Sequence, residues 1–241
     1  MHALKSFITG FTDFKKTFHS GQDSLYTSLH RGQNPGALVI ACCDSRVDPA
    51  LLLGCGPGDI FVIRNIANLV PHITSTSLRD ATIAALNYGV LHLQIRHIVV
   101  LGHSNCGGIN AVCALQRHRV SSPLEHWLDM ARPALELTRK RFPGFSQTDM
   151  VRACHKISLL LSMDNLLSWP WIRKLVEQGM LKLHPWFFDM ERGELLCFNR
   201  KNKRFELLRH QATGNMPDMD YGAASFYSQL HHQAAGSTVP T

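Results

Sequence analysis

The chain has 241 residues, 45% of them hydrophobic, enough for one large domain with a full core. Its formal charge of +7 would suit an anionic partner, yet the basic residues are scattered among acids, which argues against nucleic acid binding. It has no run of about 18 apolar residues and no hydrophobic leader. We therefore expect no membrane association and a cytoplasmic location, where its seven cysteines act as core residues, metal ligands or nucleophiles rather than disulfides.

In chain order, Phe7, Ile8, Phe11, Phe14 and Phe18 recur at helical spacing, with Lys5, Lys15 and Lys16 on the more polar side. This predicts an amphipathic N-terminal arm over residues 1–35 that packs on its own domain or on a second subunit. Ala37–Ala41 and Ile60–Ile63 read as short buried strands, the second introduced by the Gly56-Pro57-Gly58-Asp59 turn. Helical periodicity runs from about Ser77 to Leu91, His97–Leu101 is a further strand, and Gly107 opens a helix. Residues 123–179 look mainly helical, interrupted at Pro143-Gly144 and near Trp169-Pro170-Trp171. Two strands follow, Met180–Phe188 and Leu195–Phe198.

Strands alternating with helices predict an α/β fold, a central mainly parallel β-sheet flanked by helices, with the helical arm at its N-terminus. The expected α/β domain spans residues 36–210. Residues 211–241, rich in Gly, Ser, Ala, Gln and His, are expected to form a weakly ordered tail. Cys55, Cys113, Cys154 and Cys197 lack a neighbouring ligand and are expected in the core.

Two clusters about sixty residues apart carry the chemistry, Cys42-Cys43-Asp44-Ser45-Arg46 and His103-Ser104-Asn105-Cys106. Each ends a strand, where parallel sheets bind their ligands. Two thiolates and one imidazole suit a tetrahedral Zn²⁺, and Asp44 either fills the fourth position or yields it to water. Cys42 and Asp44 are two residues apart and point to one side of an extended segment, which makes Cys43 a core candidate. Arg46 argues for the open arrangement, because a guanidinium can hold Asp44 through a bidentate pair. Water on zinc becomes acidic. Two thiolates donate more charge than three histidines, so activity should favour alkaline pH.

These residues resemble the β-class carbonic anhydrases. The resemblance runs from about Gly32 to Phe198. It rests on Cys-x-Asp-x-Arg at 42–46, on Pro57-Gly58-Asp59 with Arg64-Asn65-Ile66-Ala67-Asn68, and on Gly102-His103-Ser104-Asn105-Cys106-Gly107-Gly108. Ser162, Asn165-Leu166, Leu183-His184 and Asp189 add to it. It implies reversible hydration of CO₂ to bicarbonate and a proton by attack of zinc-bound hydroxide, with one zinc per subunit on Cys42, His103 and Cys106. Asp44, paired with Arg46, would orient the hydroxide. Gln33 and the Gly107 amide match substrate contacts, and Phe61, Ile66 and Tyr88 match the lining of an apolar cleft between two subunits.

A homodimer is the minimal assembly implied, and the sequence leaves open whether dimers pair into tetramers. The family's regulated branch traps bicarbonate with a tryptophan, an arginine and a tyrosine. Val39, Arg64 and Phe188 stand at those positions here, which implies an open site. Pro185 departs from the family's glycine and bears on the local strand geometry. Hydrolysis of CS₂ or COS on the same scaffold, and a catalytically silent protein that senses bicarbonate, are the competing readings.

Overall fold

Continuous apolar stretches suit strands buried on both faces, and in the computed structural model Ala37–Ala41 and His97–Leu101 lie in inner strands of a parallel sheet, whereas Ile60–Ile63, expected as buried, lies in a half-buried strand at its edge. The structure describes residues 2–21, 24–75, 79–114, 122–208 and 220–223. Two N-terminal helices, α1 (His2–Phe18) and the short α2 (Leu25–Leu29), precede β1 (Ala37–Cys42). Then come α3 (Pro49–Leu53), β2 (Ile60–Asn65), α4 (Ala81–Asn87), β3 (His97–His103) and α5 (Gly107–Ala114). Four helices follow, α6 (Pro123–Leu128), α7 (Arg132–Arg141), α8 (Gln147–Ser168) and α9 (Pro170–Glu177). The chain returns to the sheet through β4 (Lys182–Asp189), β5 (Glu194–Asn199) and β6 (Arg204–Leu207).

The sheet order is β2-β1-β3-β4-β5-β6. The first four strands are parallel and the last two antiparallel. On one face, Leu38, Ile40, Ile98, Val100 and Leu183 pack against α4 and α8, whose Ile157, Leu160 and Leu166 are fully buried. The other face carries Val39, Ala41, Val99 and Leu101, with Trp186, Phe188 and Leu195 only partly covered beside them.

Asp48 caps α3 by accepting from the amides of Ala50 and Leu51, and Asp80 caps α4 through those of Thr82 and Ile83. The helix expected from about Ser77 begins at Ala81, and residues 76–78 lie outside the described set. Its last part, Tyr88–His92, widens into a π-turn. The proline departure is absorbed within β4. Leu183 bonds Asp220 and Tyr221, and Phe187 pairs with β5, so Pro185 falls in the gap between these contacts, where a missing N–H costs little. The tail expected over 211–241 lies outside the described residues except for 220–223. Tyr221 there is buried and donates its hydroxyl to Asp164 at 2.8 Å.

Cys113, Cys154 and Cys197 are buried, while Cys55 is only half-buried. Cys43 does not join them. It is exposed, because β1 stops at Cys42 and the alternation of an extended strand no longer governs the next residue.

Candidate metal centre and active site

Cys42 is the last residue of β1 and His103 the last of β3, neighbouring strands of the sheet. Cys106 follows three residues later, after a turn through Asn105 at φ 53, a left-handed conformation that asparagine tolerates. Its carbonyl accepts from the amide of Asn110, so it caps α5. The sequence thus brings three ligand-bearing side chains to one end of the sheet, with their ligand atoms all within 4.8 Å of one another.

The donor set fits zinc. The two sulfurs are 3.9 Å apart, close to the roughly 3.8 Å that two bonds of about 2.3 Å subtend in a tetrahedron. His103 Nδ1 is 2.8 Å from the carbonyl oxygen of Ser104, which fixes the ring and leaves Nε2 free for a ligand bond. That Nε2 is buried without a hydrogen-bond partner among the described residues, and a buried nitrogen of this kind calls for a ligand.

The two thiols share protons unequally. Contact with the Cys106 thiol, the nearby His103 ring and backbone amides including that of Ala67 pulls Cys42 down to about 4 against the cost of burial. The bond with Cys42, together with burial, pushes Cys106 far up. Near neutral pH the pair therefore holds one proton, which a metal would displace.

Asp44 lies beside this cluster, and Arg46 grips it. Nε donates to Oδ1 at 2.9 Å and Nη2 to Oδ2 at 2.7 Å, while the Arg46 amide donates to Oδ1 at 3.0 Å. This grip holds the Asp44 carboxyl well below the usual carboxylate range. Nη2 also donates to the carbonyl of Asn105 at 3.1 Å, tying together the two loops that carry the clustered ligand residues.

Two residues whose contacts the sequence reading did not foresee complete the scaffold. Arg64, on β2, donates to the carbonyls of Cys42, Asp44 and Val47 and pairs with Asp48 at 3.0 Å, so its guanidinium staples the first loop. His155, on α8, accepts the Cys106 amide through Nε2 at 3.1 Å. Burial pulls it down to about 4, so it is neutral. No short motif signals either contact. Both depend on residues brought together from 16 to 49 positions apart.

The expected substrate residues spread around this core. The Ala67 amide donates to Cys42 Sγ at 3.4 Å, which places Ile66 next to the cluster. The Ile66 side chain is 38% exposed, and Trp127 Nε1 holds its carbonyl at 2.8 Å. Phe61 and Tyr88 face each other with ring centroids 6.1 Å apart, and Tyr88 is 45% exposed. Gly107 starts α5 with open space around its Cα. Gln33 lies exposed in the segment before β1. A cavity of about 790 Å³ adjoins the turn between His103 and Cys106, lined by Ser104, Asn105, His155, Lys156, Phe187 and Arg192 among others, and none of Cys42, Asp44, His103 and Cys106 lines it.

A parallel sheet that carries a Cys-His-Cys site at its strand ends, with a carboxylate held beside it by arginine, is the frame of a zinc hydratase. The carbonic anhydrase family model matches residues 37–195. A carbonic anhydrase of Synechococcus elongatus is 31% identical over 198 residues, which cover 82% of this chain and 72% of the relative. The β carbonic anhydrase 3 of Arabidopsis thaliana is 33% identical over 196 residues, covering 80% and 76%. Among solved structures, that of the β-carbonic anhydrase CcaA superposes with a TM-score of 0.83 at 27% identity, covering 94% of this chain and 98% of the other. One of two tetrameric β-carbonic anhydrases from Sordaria macrospora superposes at 0.69 with 30% identity, covering 82% and 96%. The chain belongs to the β-class carbonic anhydrase family.

Proposed function

We propose that this enzyme hydrates CO₂ reversibly to bicarbonate and a proton at one zinc ion per subunit, held by Cys42, His103 and Cys106. The observation that carries this reading is the orphaned, buried Nε2 of His103 beside two sulfurs 3.9 Å apart. Zinc, when bound, supplies the Lewis acidity that makes water nucleophilic near neutral pH. Every other task falls to the chain. Asp44, kept ionised and off the metal by Arg46, accepts a hydrogen bond from the attacking water and aims its lone pair at carbon.

Gln33 and the Gly107 amide donate to the oxygens of CO₂ or bicarbonate, and Phe61, Ile66 and Tyr88 form an apolar wall that excludes bulk water. Exposure of Ile66 and Tyr88 in one chain supports a second copy as their cover, so we assign a homodimer as the minimal unit, with tetramers formed from dimers. The site stays open, because Arg64 is committed to three carbonyls and Asp48, and because Val39 and Phe188 offer no donor for a trapped bicarbonate. We assign the cytoplasm as the location. All seven cysteines are free thiols, which supports a reducing compartment. No feature of the site favours CS₂ or COS hydrolysis, or a silent sensor, over this reading.

Metal analysis of Cys42→Ser alongside its CO₂ hydration rate tests the assignment. Metal and turnover should be lost together. Full zinc content and full turnover in that variant would overturn it.

A further inference from the structure

A metal ligand is only as well placed as the backbone that carries it. Cys106 is reached through the left-handed Asn105, and its own amide points into the protein, where Cys106 is 1% exposed and His155 5%. That amide donates to Nε2 of His155 at 3.1 Å. Because Nε2 accepts, it carries no proton, and the imidazole is the tautomer protonated at Nδ1. A backbone hydrogen bond at Val151, one turn earlier on α8, engages the ring as well. His155 therefore supplies no ligand to the cluster. It is a rigid acceptor rooted in the longest helix of the fold, facing the one amide that sets the position of the second sulfur.

We propose that His155 is a positioning residue for the metal site, fixing the Cys106 backbone so that its sulfur stands at ligand distance before the metal arrives. The proposal rests on the reading of Cys106 as a zinc ligand. The bond belongs to the layer of contacts that orients ligands, whose loss costs metal affinity about 10–100-fold. Residues at this layer need the right acceptor at the right reach, not charge.

The test is zinc affinity by chelator competition, with the absorption spectrum of the cobalt-substituted protein as a second readout. His155→Leu removes the acceptor and should weaken zinc binding about 10–100-fold, with altered cobalt–thiolate bands. His155→Gln, long enough to offer its carbonyl oxygen to the amide, should restore most of the affinity. His155→Asn, equally polar but shorter, should not. If His155→Leu fails to fold, the Gln and Asn pair carries the test alone. Native zinc affinity and cobalt spectrum in His155→Leu, or equal losses in the Gln and Asn variants, would overturn the proposal. Cys106→Ser separates the two levels: zinc retained there with native affinity would remove the ligand reading itself. Zinc lost there but unaffected by every change at His155 would remove only the positioning role.

Discussion

At the residue scale, the Asp44–Arg46 pair makes the sharpest demand. Arg46→Ala frees a carboxylate beside the cluster to bind the metal itself, closing the position that water needs. The variant should keep its zinc by metal analysis and lose nearly all CO₂ hydration. Full activity in it would remove Arg46 from the mechanism. Proton linkage gives a second test. With Cys42 down near 4 and Cys106 pushed far up, the metal-free site holds one thiol proton across the neutral range, and zinc must displace it. Zinc binding should thus tighten with rising pH across the neutral range, by about tenfold per unit for the one proton displaced, in chelator-competition titrations. An affinity independent of pH there would contradict the shared proton.

Much of this site was legible because Cys42, Asp44, Arg46, His103 and Cys106 sit in short motifs that close apolar strands, and a strand end fixes direction as well as position. Cys43 was misread where the strand stopped. Arg64 and His155 were illegible as supports, since apart from the Asp48 carboxylate their partners at the site are backbone groups, and a backbone group leaves no mark in sequence.

At the element scale, hydrophobic runs announced β1, β3 and β4 within a few residues, because inner strands of a parallel sheet are apolar on both faces, and β2 carries such a run although it lies at the sheet's edge and is only half-buried. The edge strand β6, Arg-Phe-Glu-Leu, carries alternating polar residues over four positions and is too short for periodicity to reveal. The start of α5 shows why a motif glycine is where it is. A Cβ on Gly108 would lie 3.0 Å from both Ala67 Cβ and Ile66 Cγ2 and 3.2 Å from Leu128 Cδ2. Ala67 is held at φ 66 with its amide on Cys42 Sγ, so it has little room to give way. Gly108→Ala should cost about 1–2 kcal/mol in denaturant unfolding despite alanine's better helix propensity. Gly144→Ala, with open space around it, should stay within about 0.5 kcal/mol. Equal midpoints for the two variants would contradict this packing.

At the scale of the whole molecule, α1 keeps its apolar residues in the open: Leu4, Phe7, Ile8 and Phe11 are each about two-thirds exposed. The helical spacing of these residues foretold the helix but left open whether it packs at home or on a second subunit, which one chain's sequence does not encode. An unpaired aromatic face of this kind favours a partner copy. Removing residues 1–20 should lower the mass seen by light scattering, and an intact, active protein of monomeric mass would contradict the assembly. The central claim, however, is that this chain turns over CO₂ with the metal its Cys-His-Cys cluster holds. Stopped-flow CO₂ hydration at mildly alkaline pH, on protein carrying a measured one zinc per chain, tests it most directly. Turnover should be rapid, disappear on chelation and return with zinc, whereas zinc-loaded protein that leaves the uncatalysed rate unchanged would refute CO₂ hydration as its activity.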